Sequence, residues 1–184
     1  MTKDQAYQLF ESMIATANKV LFDFTLQQNL TLEKKVDTSV VTACDKAIDE
    51  VLSKMGRDAG FQIVSEEGEH TLEIVKSGNY MTIDPIDGTL GYIDYVNYAL
   101  EHGGIDTFLQ KDLGGSHDFS LLLGIVENGI AQYGCCYKFI THEKIFIDGA
   151  YVRPIDVVTQ TLKNLKVPKG YKEKENLWLR LYGK

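Results

Sequence analysis

No run of apolar residues in the chain approaches the roughly 18 that a membrane-spanning helix requires. The first apolar stretch is interrupted by Glu11, Asn18 and Lys19, unlike the unbroken core of a signal peptide. No membrane partner is therefore expected, and a soluble, cytoplasmic protein is. Positive charge is the minority sign, with 19 Lys and Arg against 26 Asp and Glu for a net −7. That field repels polyanions and argues against a nucleic acid duplex as partner. A small phosphorylated substrate stays within reach, because a local cation or helix N-terminus can hold phosphate inside an acidic protein. Cysteines number only three. Cys135 and Cys136 are adjacent in a strand-like segment that turns their side chains to opposite faces, and no Cys-x-x-Cys pair occurs. Reduced core thiols are expected, not a disulfide framework or a zinc site. His70, His102, His117 and His142 show no ligand spacing, and no Gly-x-x-x-x-Gly-Lys loop occurs.

What is present suits one compact domain, or one domain with an incomplete neighbour: 184 residues, 44% of them hydrophobic. Over residues 3–28 a 3.6-residue period through Ala6, Phe10, Met13, Ala17 and Leu21 predicts a long amphipathic helix, with Thr2 and Gln5 as its capping box. A second helix is expected from Ser39 as N-cap, burying Val41, Ile48 and Leu52 and stopping at Gly56. Phe61 to Val64 reads as a strand delivering Ser65-Glu66-Glu67-Gly68, and Tyr80 to Ile83 as another ending at Asp84. Residues 93–117, with Gly103-Gly104 and Gly114-Gly115, read as an inserted excursion. From Phe119 the pattern becomes a meander, with turns at Glu127-Asn128-Gly129 and around Thr141-His142. Tyr92, Tyr95 and Tyr98, three apart, read as helical packing. The domain reading is an N-terminal α+β unit over 1–154 and the start of a second over 155–184, which contains a helix over 156–165.

The most informative segment is Ile83-Asp84-Pro85-Ile86-Asp87-Gly88-Thr89. Pro85 keeps Asp84 out of helical geometry and Gly88 permits a left-handed turn, so both carboxylates are displayed on a rigid loop at a strand end. Carboxylates from Asp84 and Asp87 with the Ile86 carbonyl make a hard-oxygen donor set suited to Mg²⁺. Glu66 and Glu67, from the neighbouring strand end, extend the set toward a two-metal site. Taken singly, each piece is an ordinary turn dipeptide or solvated pair; their conjunction favours chemistry.

With these residues in view, the chain resembles the lithium-sensitive, magnesium-dependent phosphomonoesterases that include inositol monophosphatases and 3'(2'),5'-bisphosphate nucleotidases. Ser39-Val40-Val41-Thr42-Ala43-Cys44-Asp45 is similar to the family's Ser-Pro-Val-Thr-x-x-Asp segment, Ser65-Glu66-Glu67 to its strand-end Glu-Glu, and Asp84 to Thr89 to its Asp-Pro-Ile-Asp-Gly-Thr signature. The resemblance covers residues 1–165. It implies a layered α+β sugar-phosphatase fold, with an N-terminal helix pair on a mostly antiparallel sheet. It implies two or three Mg²⁺ ions held by Glu66, Asp84, Asp87 and the Ile86 carbonyl, with Asp84 bridging and Glu67 either behind these ligands or on a weaker third ion. It also implies that Asp45 and Thr89 position the attacking water and that the Gly88 and Thr89 amides cradle phosphate.

Two departures stand out. The excursion over 93–117 is longer than the family's usual connection after Asp-Gly-Thr. The family's C-terminal subdomain carries a Trp-Asp motif, whereas Trp178 is followed by Leu179 and no such motif occurs. The expectation is a C-terminal subdomain left incomplete, with apolar Leu177, Trp178, Leu179 and Leu181 inviting a homodimer. Two functions remain open: a phosphatase, or a non-catalytic metal-binding remnant. Asp37 to Thr42 and Thr89-Leu90-Gly91-Tyr92 lean toward the bisphosphate nucleotidases, with 3'-phosphoadenosine 5'-phosphate as substrate and Tyr92 facing adenine or the core. Val40 in place of Pro and Leu90 in place of Lys weaken that lean, and an inositol phosphate is the alternative.

Overall fold

The structure, a computed structural model, describes residues 1–26, 32–34, 40–68, 72–102 and 119–148. The chain divides into Met1–Gly149 and Ala150–Lys184, and all described residues belong to the first unit. The helix expected at 156–165, the apolar Leu177 to Leu181 segment and Ser39 lie outside them.

Helix α1 (Lys3–Leu26) forms as its periodicity requires. The Thr2 amide donates to Gln5 Oε1 at 2.9 Å and the Gln5 amide to Thr2 Oγ1 at 3.3 Å, closing the expected capping box. Ala6, Phe10, Met13, Ile14 and Ala17 are buried in one core with Ile48 and Leu52 of α2 (Ala43–Asp58) and Leu121 and Leu123 of the sheet. Asn18 Nδ2 donates to the Tyr137 hydroxyl at 2.8 Å, which also lies 2.6 Å from His142 Nδ1, so α1 is tied to the sheet by a polar clasp as well.

Two expectations about α2 are corrected. It begins at Ala43 rather than beside Ser39, because Val40–Thr42 form strand β2, paired antiparallel with β1 (Leu32–Lys34). Its N-cap is Thr42. It also runs through Gly56 to Asp58, where the C-cap is Ala59 and the left-handed glycine is Gly60 (φ 92°). Gly56 is buried because a Cβ there would stand 2.5 Å from Ile63 Cδ1 and 3.1 Å from Met81 Sδ. The glycine lets helix and sheet approach closely; it does not end the helix.

The main sheet has order β3-β4-β5-β6-β7, formed by Ile63–Ser65, Tyr80–Asp87, Ser120–Glu127, Ile130–Lys138 and Lys144–Asp148. β3 and β4 are parallel, joined through the short helix α3 (Leu72–Ser77), and the other pairs are antiparallel. A parallel neighbour brings the C-terminal ends of β3 and β4 to the same end of the sheet. The meander turns as expected: Asn128 (φ 55°) and Gly129 (φ 73°) give the two successive left-handed residues of a type I′ hairpin.

β4 extends beyond the expected Ile83, through Asp87, with its register broken between Asp84 and Asp87. Pro85 has no N–H to give the ladder, so the strand bulges where the carboxylates lie. The excursion expected over 93–117 is also corrected at its start. Residues 93–102 complete helix α4 (Thr89–His102), and the rest of the excursion lies outside the described residues. Tyr92 and Tyr98 are buried, and Tyr95 packs against Phe119 with ring centroids 5.6 Å apart. The Tyr92 ring is 1% exposed and belongs to the core, so it is no platform for a base.

At the opposite end of the sheet, the Gly129 amide donates to the Gly78 carbonyl at 2.8 Å and the Asn128 amide to Asn79 Oδ1 at 2.7 Å. Gly78 has φ 73°, and a Cβ on it would lie 2.7 Å from the Gly129 nitrogen. Gly78→Ala should therefore combine the left-handed penalty of about 1–2 kcal/mol with a backbone collision. We expect urea unfolding to show a loss of about 2 kcal/mol or more; an unchanged midpoint would contradict the close approach.

Candidate functional site

Asp45 occupies the third position of α2 and is 1% exposed. Its Oδ2 accepts from the Thr42 amide at 2.8 Å and from the Thr42 hydroxyl, while the Asp45 amide donates back to Thr42 Oγ1 at 3.3 Å. This capping box fixes the carboxylate and leaves Oδ1 pointing elsewhere. Oδ1 meets the Thr89 hydroxyl at 3.2 Å, and the same hydroxyl lies 3.2 Å from the Ile86 carbonyl. Burial pushes the Asp45 pKa above the ordinary carboxylate range, against the hydrogen bonds from Thr42 and Thr89 that pull it down.

Gly88 turns the chain from β4 into α4 with φ 93°, and its carbonyl accepts from the Gly91 amide at 2.7 Å. That conformation is open to glycine and costly for other residues. Thr89 thereby becomes the first residue of α4, and the positive end of the helix faces the same end of the sheet as Asp84 and Asp87.

Asp84 has the most perturbed environment of these carboxylates. Its Oδ1 is buried and, among the described residues, has no hydrogen-bond partner. Burial raises its pKa to about 8, helped by the like charges of Glu66 and Asp87, hydrogen bonding to Glu66 and the charge of Asp45. A partnerless buried carboxylate oxygen beside a second carboxylate is costly without a cation. The donors here are carboxylates and a backbone carbonyl, and they fit a hard divalent ion.

The structure thus brings together Asp45 with Thr89, Thr89 with Ile86, and Asp84 with Glu66, with Asp87 close enough to act through its charge. Among the described residues no three His, Cys, Asp or Glu side chains converge into a ready-made metal cage. Glu67 sits in the turn after β3, and its amide donates to Ser65 Oγ at 3.3 Å. None of the three cysteines is in a disulfide; burial pushes the thiols of Cys44 and Cys135 up to about 12, which suits packing rather than nucleophilic chemistry.

The capping role of Thr42, which fixes Asp45, is not apparent when the Ser39 to Asp45 segment is read for chemistry alone. The signal that marks it is Thr42-Ala43-Cys44-Asp45, a Ser/Thr-x-x-Asp/Glu capping pattern.

Comparison with known proteins identifies the family and the fold. The model of the inositol monophosphatase family matches residues 3–175. No curated protein matches the chain significantly. Among solved structures, an IMPase of Thermotoga maritima is 20% identical with a TM-score of 0.57, over 81% of this chain and 49% of its own. A staphylococcal inositol monophosphatase-1 in a LiCl-soaked inhibitory complex is 18% identical with a TM-score of 0.60, over 82% and 50%. An IMPase/NADP phosphatase complexed with Mg²⁺ and phosphate is 18% identical with a TM-score of 0.58, over 80% and 49%. The chain spans about half the length of these structures, and at such identities the likeness is one of fold.

Proposed function

We propose, given that the chain belongs to the inositol monophosphatase family, that it acts as a Mg²⁺-dependent phosphomonoesterase on a small phosphate ester in the cytoplasm. The observation that carries the reading is the Thr89 hydroxyl, held between Asp45 Oδ1 and the Ile86 carbonyl, in the same loop as the partnerless Asp84 oxygen.

Glu66, Asp84, Asp87 and the Ile86 carbonyl would hold the metal, with Glu67 beside a further ion. Magnesium, when bound, supplies charge to a phosphoryl oxygen and acidifies water. Thr89 Oγ1 commits its proton to Asp45 Oδ1 and offers its lone pairs to a water, orienting it for in-line attack. The amides of Gly88 and Thr89, at the positive end of α4, complement the charge of the phosphate.

The finer reading is a preference for 3'-phosphoadenosine 5'-phosphate, supported by the nucleotidase-like residues around Thr42 and Thr89. The burial of Tyr92 removes the one aromatic that this reading set against adenine. Leu90, by contrast, is 66% exposed beside the phosphate cradle and offers an apolar contact. Phosphate release from this nucleotide, inositol phosphates, NADP and sugar phosphates, with and without Mg²⁺ and Li⁺, tests both levels. Mg²⁺-dependent, Li⁺-inhibited release fastest from the nucleotide is expected. Faster release from inositol phosphate overturns the preference alone, and metal binding without turnover on any ester favours a non-catalytic module.

A further inference from the structure

Asp49 follows Asp45 by one helical turn, so the two carboxylates rise from the same face of α2. Asp45 reaches the loop after β4 through Thr89. Asp49 reaches the other loop: its Oδ1 accepts from the buried Ser65 hydroxyl at the end of β3, and from Ser53 Oγ at 3.3 Å. Ser65 Oγ, having given its proton to Asp49, accepts from the Glu67 amide at 3.3 Å. The Glu66 amide meanwhile donates to the Ile83 carbonyl at 3.0 Å, continuing the parallel ladder. A Cβ on Gly68 would lie 3.4 Å from Ser65 Cβ and 3.7 Å from Asp49 Oδ2, so the end of the turn at Gly68 also packs beside this carboxylate.

We propose that Asp49 is a positioning residue for the metal site: through Ser65 it fixes the turn that presents Glu66 toward Asp84, without itself binding the ion. The inference rests on the metal-dependent reading above. A hydroxyl has one proton, and here it is directed to Asp49, which leaves the oxygen's lone pair aimed at the Glu67 amide. Without that acceptor the hydroxyl can rotate and the amide loses its defined partner. Glu66 then keeps its ladder bond but not the fixed turn beyond it. Ligand orientation by such outer partners is typically worth about 10–100-fold in metal affinity.

The test is calorimetric titration of the protein with Mn²⁺, paired with thermal melting of the metal-free form. Asp49→Ala should weaken Mn²⁺ binding by about 10-fold or more. Asp49→Asn, which keeps an acceptor oxygen toward Ser65, should recover most of that loss. Ser65→Ala, which removes the donor from the other side, should weaken binding as Asp49→Ala does and stands in if the latter does not fold. Each loss should exceed what the shift in metal-free melting temperature accounts for. Wild-type affinity in Asp49→Ala or Ser65→Ala would overturn the proposal, as would an Asp49→Asn protein as weak as Asp49→Ala. If the unaltered protein itself takes up no Mn²⁺, the metal-dependent reading fails first, and the two failures are thereby distinguished.

Discussion

Replacing Asp84 with Asn is expected to abolish divalent-metal binding and, at pH 9, to raise the melting temperature of the metal-free protein. The two effects have opposite signs for one reason. Burial and the like charges of Glu66 and Asp87 hold the Asp84 pKa up to about 8, against an ordinary value of 3.8. Between those values the folded chain binds a proton that the unfolded chain has lost, so metal-free stability falls as pH rises from about 4 to 8. The destabilisation is complete above pH 8, and a neutral amide side chain removes it. Metal binding must displace the same proton. Affinity in the unaltered protein should therefore rise about tenfold per pH unit between 6 and 8 and level off above. Mn²⁺ titrations in buffers of different ionisation enthalpy, with pH-dependent melting curves, check both halves. An Asp84→Asn protein that binds Mn²⁺ normally, or that melts lower at pH 9, would contradict the assignment.

Thr89→Ala and Asp45→Asn should each reduce kcat by about 10²–10⁴-fold with Mn²⁺ affinity little changed, the range expected when a positioned proton acceptor is lost. Thr89→Ala removes the oxygen that would face the water. In Asp45→Asn, the amide group must place an NH₂ either against the Thr42 donors or against the Thr89 hydroxyl. One choice breaks the capping box, at a cost of about 0.5–2 kcal/mol; the other reverses the hydrogen bond that orients Thr89. Thr89→Ser, which keeps the hydroxyl, should recover much of the rate. Steady-state kinetics on whichever ester proves active would show the drop in kcat with KM close to normal; near-full turnover in both variants would remove the pair from the mechanism.

The residues of the site are far more legible in the sequence than the structure that supports them. Asp84, Asp87, Gly88 and Thr89 announce themselves because proline and glycine restrict the backbone locally, and local restrictions are written in neighbouring letters. Asp45 in isolation reads as an exposed helical carboxylate; the Ser39 to Asp45 motif singles it out, and the packing shows that it is buried. The start of α2 is hidden because Val40–Thr42 pair with Leu32–Lys34, a contact across a connection that no periodicity records. Gly56 reads as a helix terminator in isolation, yet it is there to admit Ile63 and Met81. The link from Asp49 to Ser65 spans 16 positions and two elements, so it exists only once α2 lies against β3.

The first residue of the chain lies at the far end of the sheet from this chemistry. The Met1 ammonium pairs with Glu127 at 3.0 Å, beside the β5–β6 turn, and Val126 stands opposite Tyr80, where β4 begins. Seven strand steps, roughly 23 Å, separate that position from Asp87. A surface ion pair of this kind contributes at most about 1 kcal/mol. A dye or linker introduced at Met1 in place of this pair thus costs the fold little and sits at the sheet end remote from the carboxylates, which suits that position to reporting metal and phosphate uptake without touching the site.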